Sequence, residues 1–565
     1  MRNIKKNIFQ SLSYFLLICL TNGYLQAQET YHNEWIDYSK TYYKVKVVHA
    51  GTHRINYDLL SQNLGTNIAA NDIRLEYLGE QVPIFVNTNT VLGQNDYVEF
   101  YGEPNDGTFD KLLYEEEDWQ LNPYFNLFCD TAIYYLSLNN TSANLRFQDV
   151  TNDLTGNLPA KEAYFWETSQ RFIINQFSGG DPYRSLGAAN NYFSNFQYAE
   201  GFVGEYIVEG NEKVYKMPIS ERYEGQPLAY VESRVVGQSD DYTIIDDHHV
   251  TVKVNDQFLD EAIYEGREYT DIDFEVPSNL LTSPLTDISF TSENDLAAVD
   301  KNSVVYINLR YARNFNFSNK RKYTFNVDND SDKYIEIENF NGGNAPVVYD
   351  LTNNLRLIPT LENDVFRLFL PQVANSENTR KITIINTNAT CNFFCSPPTC
   401  SITTCGLLVV SEIETVSFTD YSLAENQGNY LIVTHPSLMQ GNVNEVERYK
   451  TYRESAVGGN YEVQVLNIEE LYDQYTYGIQ KHPWAITKSV TEAIDTWATP
   501  PEYLLILGKS ISYNQFRLSS TEFDNCLVPT HGHRASDTQL LCRNDVSFVP
   551  QVAVGRIPAR VPSDI

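Results

Sequence analysis

His531-Gly532-His533, with Cys542 close behind, puts two imidazoles and a thiol in one short stretch, the raw material of nucleophilic catalysis. A thiolate attacks a carbonyl only when an imidazole lies within hydrogen-bond reach to take and return its proton. Such partners ordinarily meet through the fold, so nearness along the chain is weak support. The segment Val528-Pro529-Thr530-His531-Gly532-His533 reads equally as a loop between strands, and Cys526 with Cys542 reads as a disulfide pair or as two buried small hydrophobes. The loop is preferred over the dyad. A metal held by the two histidines lacks an identifiable third ligand.

Gly508-Lys509-Ser510 follows an apolar run, as a phosphate-binding loop would. The full motif needs a glycine five residues before Gly508, so that the backbone can curl around phosphates, and position 503 is Tyr. The nucleotide reading is set aside. Cys391, Cys395, Cys400 and Cys405 crowd around Pro397-Pro398. Their spacings differ from the Cys-x2-Cys pairs of zinc sites, and two local disulfides are the expectation, in a connectivity that the sequence does not reveal. Asp240-Asp241 and Asp246-Asp247-His248-His249 offer oxygen ligands for calcium, but a solvated loop is preferred. No cofactor is expected, and a structural calcium stays unplaced.

The elements that must position these side chains follow two regimes. From Glu29 to about Ser422 the chain alternates short Tyr-, Phe-, Val-, Ile- and Thr-rich runs with Asn, Asp, Gly and Pro, the pattern of sandwiches or barrels. Tyr42–Val48, His49–Thr52 and His53–Tyr57 read as a hairpin, with Asp96–Gly102 as a matching strand. Val250–Val254 alternates cleanly before an Asn255-Asp256 turn, and Val304–Leu309 supplies a closing strand of a jelly-roll-like sandwich. At Tyr430 the period changes. Tyr430–Thr434 is a continuous apolar run, as in buried parallel strands, and Val443, Val446, Tyr449 and Tyr452 follow at helical steps. Strands are expected again at Tyr461–Leu466, Tyr503–Leu507 and Val552–Val554, with a helix after Pro483 whose Ile486, Val490, Ala493, Ile494 and Trp497 share a face. This βαβ alternation implies a parallel sheet and puts any site at its carboxyl ends.

Length and composition narrow the setting. Met1 to Ala27 has a basic start, an apolar run from Ile8 to Leu20 and small Ala27 before Gln28, the three parts of a cleaved signal peptide. No later run is long enough for a membrane helix. A chain of 565 residues exceeds one core and divides into modules. Lys and Arg number 41 against 73 Asp and Glu, a net charge of −32 without a basic stripe, which excludes nucleic acid as an expected partner. With Cys19 in the signal, an odd number of cysteines remains, so at least one thiol is unpaired within this chain.

Tyr430–Pro436, Leu471–Gly478, Pro483–Ile486, Tyr503–Gly508, Val528-Pro529-Thr530, Ala535-Ser536-Asp537 and Val554–Arg560 occur in an order and spacing that resembles the gingipain family of cysteine peptidases, more closely its type IX secretion (PorU-like) sortases. Upstream, Tyr42–Val45 with Gly51, Asp96–Gly102 and Asp350-Leu351-Thr352 resemble the β-rich leader of that branch. Lys509 departs from the Asp usual after this glycine. The resemblance implies a catalytic histidine in a Gly-His-Gly motif and then a cysteine, both downstream of the Val-Gly-Arg strand and therefore beyond Ile565. No catalytic, cofactor-binding or metal residue is assigned within this chain.

The expected architecture is multidomain: signal peptide 1–27, an N-terminal β domain 28–163, a jelly-roll-like β-sandwich 164–322, a small β domain with the four-cysteine insert 323–425, and the first half of a caspase- or gingipain-like α/β domain 426–565. The implied function is an exported cysteine endopeptidase or sortase acting on proteins or secretion components, in the periplasm, at the outer-membrane surface or outside the cell. The alternative is a non-catalytic envelope adhesin or assembly factor with a degenerate peptidase-like domain, because a fold alone does not carry function. Cys391, Cys395, Cys400 and Cys405 should be oxidised in the exported protein, since short loops close readily. Non-reducing peptide mapping that finds these thiols free, or elemental analysis that finds stoichiometric zinc, would refute this.

Overall fold

The structure, a computed structural model, describes residues 30–140, 144–184, 190–191, 193–225, 227–374, 377–392, 405–542 and 548–565. The expected signal peptide, Cys395 and Cys400 lie outside them. The chain is β-rich up to about residue 420 and α/β after it.

The N-terminal block is a sandwich of two five-stranded sheets. Tyr42–Val47 and Gly51–Asn56 do not form the expected hairpin: the first pairs with Ala132–Leu138 in one sheet, the second with Tyr97–Gly102 in the other. Val45, Val47 and Ile55 all point into one core, with Val98, Phe100 and Leu136. A hairpin would place the two strands side by side in one layer; here the chain crosses between layers so that their apolar faces oppose. Both sheets are completed from far along the chain. Leu407–Val409 runs parallel to Gly51–Asn56, and Glu414–Val416 antiparallel to Tyr42–Val47.

In the middle, the sheet of Glu212–Pro218, Leu285–Ser292, His248–Val254 and Gln257–Tyr264 faces the Tyr269–Val276, Ala229–Gly237 and Lys301–Arg313 strands across a core of Val231, Val252, Ile288, Phe290 and Leu309. Asn255 and Asp256, at φ 46 and 66, make the expected turn, as two-residue hairpins with left-handed corners require. The Val304–Leu309 run lies inside its sheet. Phe165–Phe172, next to it, also touches Lys322–Asp328, so the same sheet continues into the third β block.

The C-terminal sheet is parallel, in the order Val463–Asn467, Tyr430–Thr434, Tyr503–Leu507, Ala553–Ile557. All four expected strands are present. The Trp484–Thr496 helix buries Ile486, Val490 and Ala493, as its period requires. The Glu445–Glu454 helix differs: of its expected stripe only Val446 is buried, Val443 precedes the helix and Tyr452 is half exposed. The β blocks cover the α/β domain in several places. Tyr135 donates to Asp473 at 2.9 Å, and Lys44 pairs with the same carboxylate. Phe109 and Phe128 pack on His482, and Phe128 on Tyr513.

The acidic cluster is only in part the solvated loop the sequence suggests: Asp246 is exposed and Asp240 and Asp241 are partly so, while the inner end is buried. Asp247 and His248 are both 0% exposed. Asp247 accepts from the Asp241 and Gly266 amides, His248 Nδ1 donates to Asp300, and Tyr264 stacks on the imidazole. Buried polar groups must find such partners. Burial alone would lower the His248 pKa, but Asp300 and Asp247 outweigh it and raise it. The pair therefore stabilises the fold fully below the unfolded value near 6.5 and ceases to do so as pH rises through the raised folded value. Asp300→Asn should cost about 3 kcal/mol at pH 6 and less at pH 9. Urea unfolding of both proteins at the two pH values checks this, and a loss equal at both would refute it.

Candidate functional site

Parallel strands bring Thr434-His435, Asn467, Leu507-Gly508 and Ile557-Pro558 to one end of the C-terminal sheet, where ligands bind in open α/β sheets. Two groups of side chains occupy this end, and a third group holds the residues singled out in the sequence.

The first is centred on Arg556, the arginine of Val-Gly-Arg. Its Nε and Nη2 donate to the two Asp537 oxygens at 2.7 and 2.6 Å. Nη1 donates to the carbonyls of Gly508 and Val528 at 2.8 and 3.0 Å, and Nη2 to that of Pro529 at 2.8 Å. Four motifs scattered along the sequence thus meet on one guanidinium. Gly508 has φ 147 and a Cβ there would lie 2.7 Å from Val528 Cγ2, so the close approach of the two loops requires glycine. Lys509, the departure from the family pattern, donates its amide to Ala559 O at 2.8 Å and accepts from Leu527 at 2.9 Å, leaving the backbone path of this loop regular.

The second group was not foreseen from the sequence. His435 Nδ1 accepts from the Ser437 amide at 3.2 Å and lies 2.8 Å from Ser437 Oγ, which leaves Nε2 as the protonated nitrogen, 3.3 Å from Glu469 Oε1. Asn467 caps the next helix by accepting from the Glu469 amide at 3.0 Å. Burial would raise the Glu469 pKa, but His435, Lys481 and Lys44 prevail and lower it. A partly exposed imidazole–carboxylate pair therefore sits at the first strand's end, and the local signal for it was the Thr434-His435-Pro436 terminus itself.

The third group contains the residues singled out as possible catalysts, and the structure does not unite them. Cys526 and Cys542 are buried and form no disulfide with each other, so of the two readings the small hydrophobe holds and the pair does not. Cys526 Sγ donates to Ile511 O at 3.6 Å and Cys542 Sγ to Thr538 O at 3.5 Å, the behaviour of small hydrophobes with a weak donor. Burial raises the Cys526 pKa, despite Lys481, Arg556 and Lys509 nearby. His531 is buried, neither ring nitrogen has a hydrogen-bond partner among the described residues, and burial brings its pKa down to about 4. His533 Nε2 contacts the Arg534 guanidinium instead of a thiol. In the four-cysteine insert, Cys391 and Cys405 form a disulfide. Among the described residues no three His, Cys, Asp or Glu side chains converge on a metal position, and no helix is long and apolar enough to cross a membrane.

Residues 423–565 match the family model of Peptidase family C25, in agreement with the order of motifs in the sequence. Latent, dimeric PorU from Porphyromonas gingivalis superposes with a TM-score of 0.58 at 13% identity, covering 93% of this chain and 48% of that one. The chain therefore spans about half the length of that relative, and its β blocks and α/β domain share one fold with it. Two carbohydrate-binding modules match only in part. The first, from a xylanase of the Trinervitermes trinervoides hindgut metagenome, has TM-score 0.15 at 12% identity over 26% of this chain and 95% of its own. The second, from Cellvibrio mixtus lichenase 5A, has 0.15 at 15% over 25% and 95%. No curated protein matches the chain.

Because Arg556 ties together the loops that carry Gly508, Val528, Pro529 and Asp537, Arg556→Lys should destabilise nearly as much as Arg556→Ala, about 2–4 kcal/mol, since an ammonium cannot span the fork. Denaturant unfolding that finds Arg556→Lys within about 0.5 kcal/mol of wild type would refute this.

Proposed function

We propose that this chain, whose residues 423–565 are of Peptidase family C25, is part of an exported cysteine peptidase or sortase-like protein of the type IX secretion type. The observation that carries the reading is the coincidence of the family match with the Arg556 network, which gathers the family's scattered motifs at the carboxyl ends of a parallel sheet. The PorU-like fold of the β blocks supports the same assignment.

In such chemistry a thiolate attacks the scissile carbonyl and forms an S–C bond. An imidazolium donates its proton to the leaving amine as the C–N bond breaks, and backbone N–H groups stabilise the oxyanion. The thioester then passes to water or to an acceptor nucleophile. We assign none of these roles to Cys526, Cys542, His531 or His533. The thiol and imidazole are placed downstream of Ile565, after the Val-Gly-Arg strand, in the order the family resemblance implies. Cell-envelope proteins or secretion components are the proposed substrates and partners, and the periplasm, the outer-membrane surface or the extracellular space is the proposed location, consistent with a signal peptide at residues 1–27.

The purified 565-residue chain should show no thiol-dependent cleavage of peptides, while a natural version extended through the next Gly-His-Gly and cysteine should cleave and lose activity on alkylation. Cys526→Ala and Cys542→Ala should leave the extended protein's rate within about twofold. Cleavage by the short chain that disappears in Cys542→Ala would overturn the assignment. An extended reading frame lacking both residues would favour the non-catalytic envelope protein.

A further inference from the structure

Two limbs of the middle block, Gln176–Gly179 and Glu200–Val203, pair as a hairpin whose return path crosses to the α/β domain. Phe196 and Phe177 pack on the Tyr513 ring with centroids 5.6 and 5.4 Å apart. Phe196 meets His531 edge-on at 5.2 Å, and Phe177 meets His533 at 4.7 Å. Ser194 Oγ donates to Arg534 O at 2.6 Å. Gly532, at φ 64, approaches so closely that a Cβ would stand 1.7 Å from Ser194 O. The seat of the hairpin is thus the turn closed by the His531–Ser536 bridge. That turn belongs to the 528–537 loop that Arg556 ties to the carboxyl ends.

A carboxyl group lies at the centre of this seat. Glu200 is 1% exposed. It accepts from the Tyr513 hydroxyl, from the Gln197 amide at 3.4 Å and from the His533 amide. Tyr114 donates to its main-chain carbonyl at 2.9 Å. The other titratable or charged groups around it are Tyr513, Tyr114, Asp110, His531, His533 and Arg534, and Arg534 acts on it without forming an ion pair. Burial pushes the Glu200 carboxyl up to about 8, while burial holds His531 and His533 down at about 4.

We infer that this contact is a proton-controlled latch: protonated Glu200 keeps the hairpin seated on the His531–Ser536 turn, and its ionisation releases the hairpin from that turn. Any effect on catalysis rests on the peptidase reading above; the latch itself does not. Released into water, Glu200 returns towards an ordinary carboxyl value of 4.5. Its contribution to the seated state is therefore complete below that value and is lost as pH rises through about 8. His531 acts in the opposite sense: its contribution is complete above 6.5 and is lost as pH falls through about 4. Seating is strongest at mildly acidic pH. Between pH 5.5 and 8.0, Glu200 raises the opening equilibrium on the order of a hundredfold.

Hydrogen exchange of the full chain tests this, with wild type and Glu200→Gln compared at the same pH so that intrinsic amide chemistry cancels. For the amides of residues 200–203 and 531–534, the ratio of wild-type to variant exchange should rise on the order of a hundredfold from pH 5.5 to pH 8.0. A ratio that is the same at both pH values would overturn the latch. Tyr513→Phe provides a second arm if Glu200→Gln does not fold. It removes a hydrogen bond that lowers the Glu200 pKa, so the pH midpoint of opening should move upward, and an unmoved midpoint would also overturn the proposal. Because the readout is amide exchange, the latch can fail while thiol-dependent cleavage by the extended protein stands, and the reverse.

Discussion

The fork of Arg556 is the constraint on which the arrangement of the α/β domain depends. A guanidinium carries N–H donors in a fixed plane, and here they reach both oxygens of Asp537 and three carbonyls belonging to two different loops. A lone buried carbonyl is costly to leave without a partner, so the loops after the Tyr503 strand cannot drift apart without stranding several acceptors together. That coupling turns these loops into one rigid rim at the carboxyl ends. It also explains why Gly508 must be glycine: the loops are drawn too close for a side chain between them.

A four-stranded parallel sheet needs cover for its helices as well as for its faces, and the β blocks supply it through contacts that mix aromatic area with buried charge. Asp473 is pushed up to about 6 by burial, although Lys44 and Tyr135 both oppose the shift. Asp110 lies wholly buried, held by the Asn126 side chain and the Leu127 amide, with His482 beside it at 3.8 Å. Such groups add little net stability once desolvation is counted. Their cost is recovered only in the one docking geometry that satisfies them, whereas the surrounding Phe, Tyr and Trp rings would tolerate several. Aromatic packing therefore holds the blocks together, and the buried polar groups select the register in which they meet.

Much of this was legible in the chain. The continuous apolar runs at Tyr430 and Tyr503 announced buried parallel strands because both faces of such strands are covered, and the helix after Pro483 followed from its 3.6-residue period. Asn255-Asp256 announced its own turn because few other residue pairs accept two left-handed conformations in succession. These are local consequences of backbone sterics and of which side chains avoid water, and they need no knowledge of distant residues.

What the sequence could not decide were matters of who meets whom. The runs at Tyr42 and His53 had the right residues for strands, but only the opposing core of Val98, Phe100 and Leu136 sent them to different sheets. Asp247 and His248 looked like a solvated pair until Asp300 and the Gly266 amide, both distant in sequence, gave them partners that make burial affordable. His531 and Cys542 looked like reacting groups by proximity, yet the fold turns the imidazole into an aromatic seat and leaves the thiol on a local carbonyl. Side-chain chemistry and backbone period are properties of the chain itself. Burial, pairing and the electrostatics that follow from them exist only once segments hundreds of residues apart have excluded water from between them.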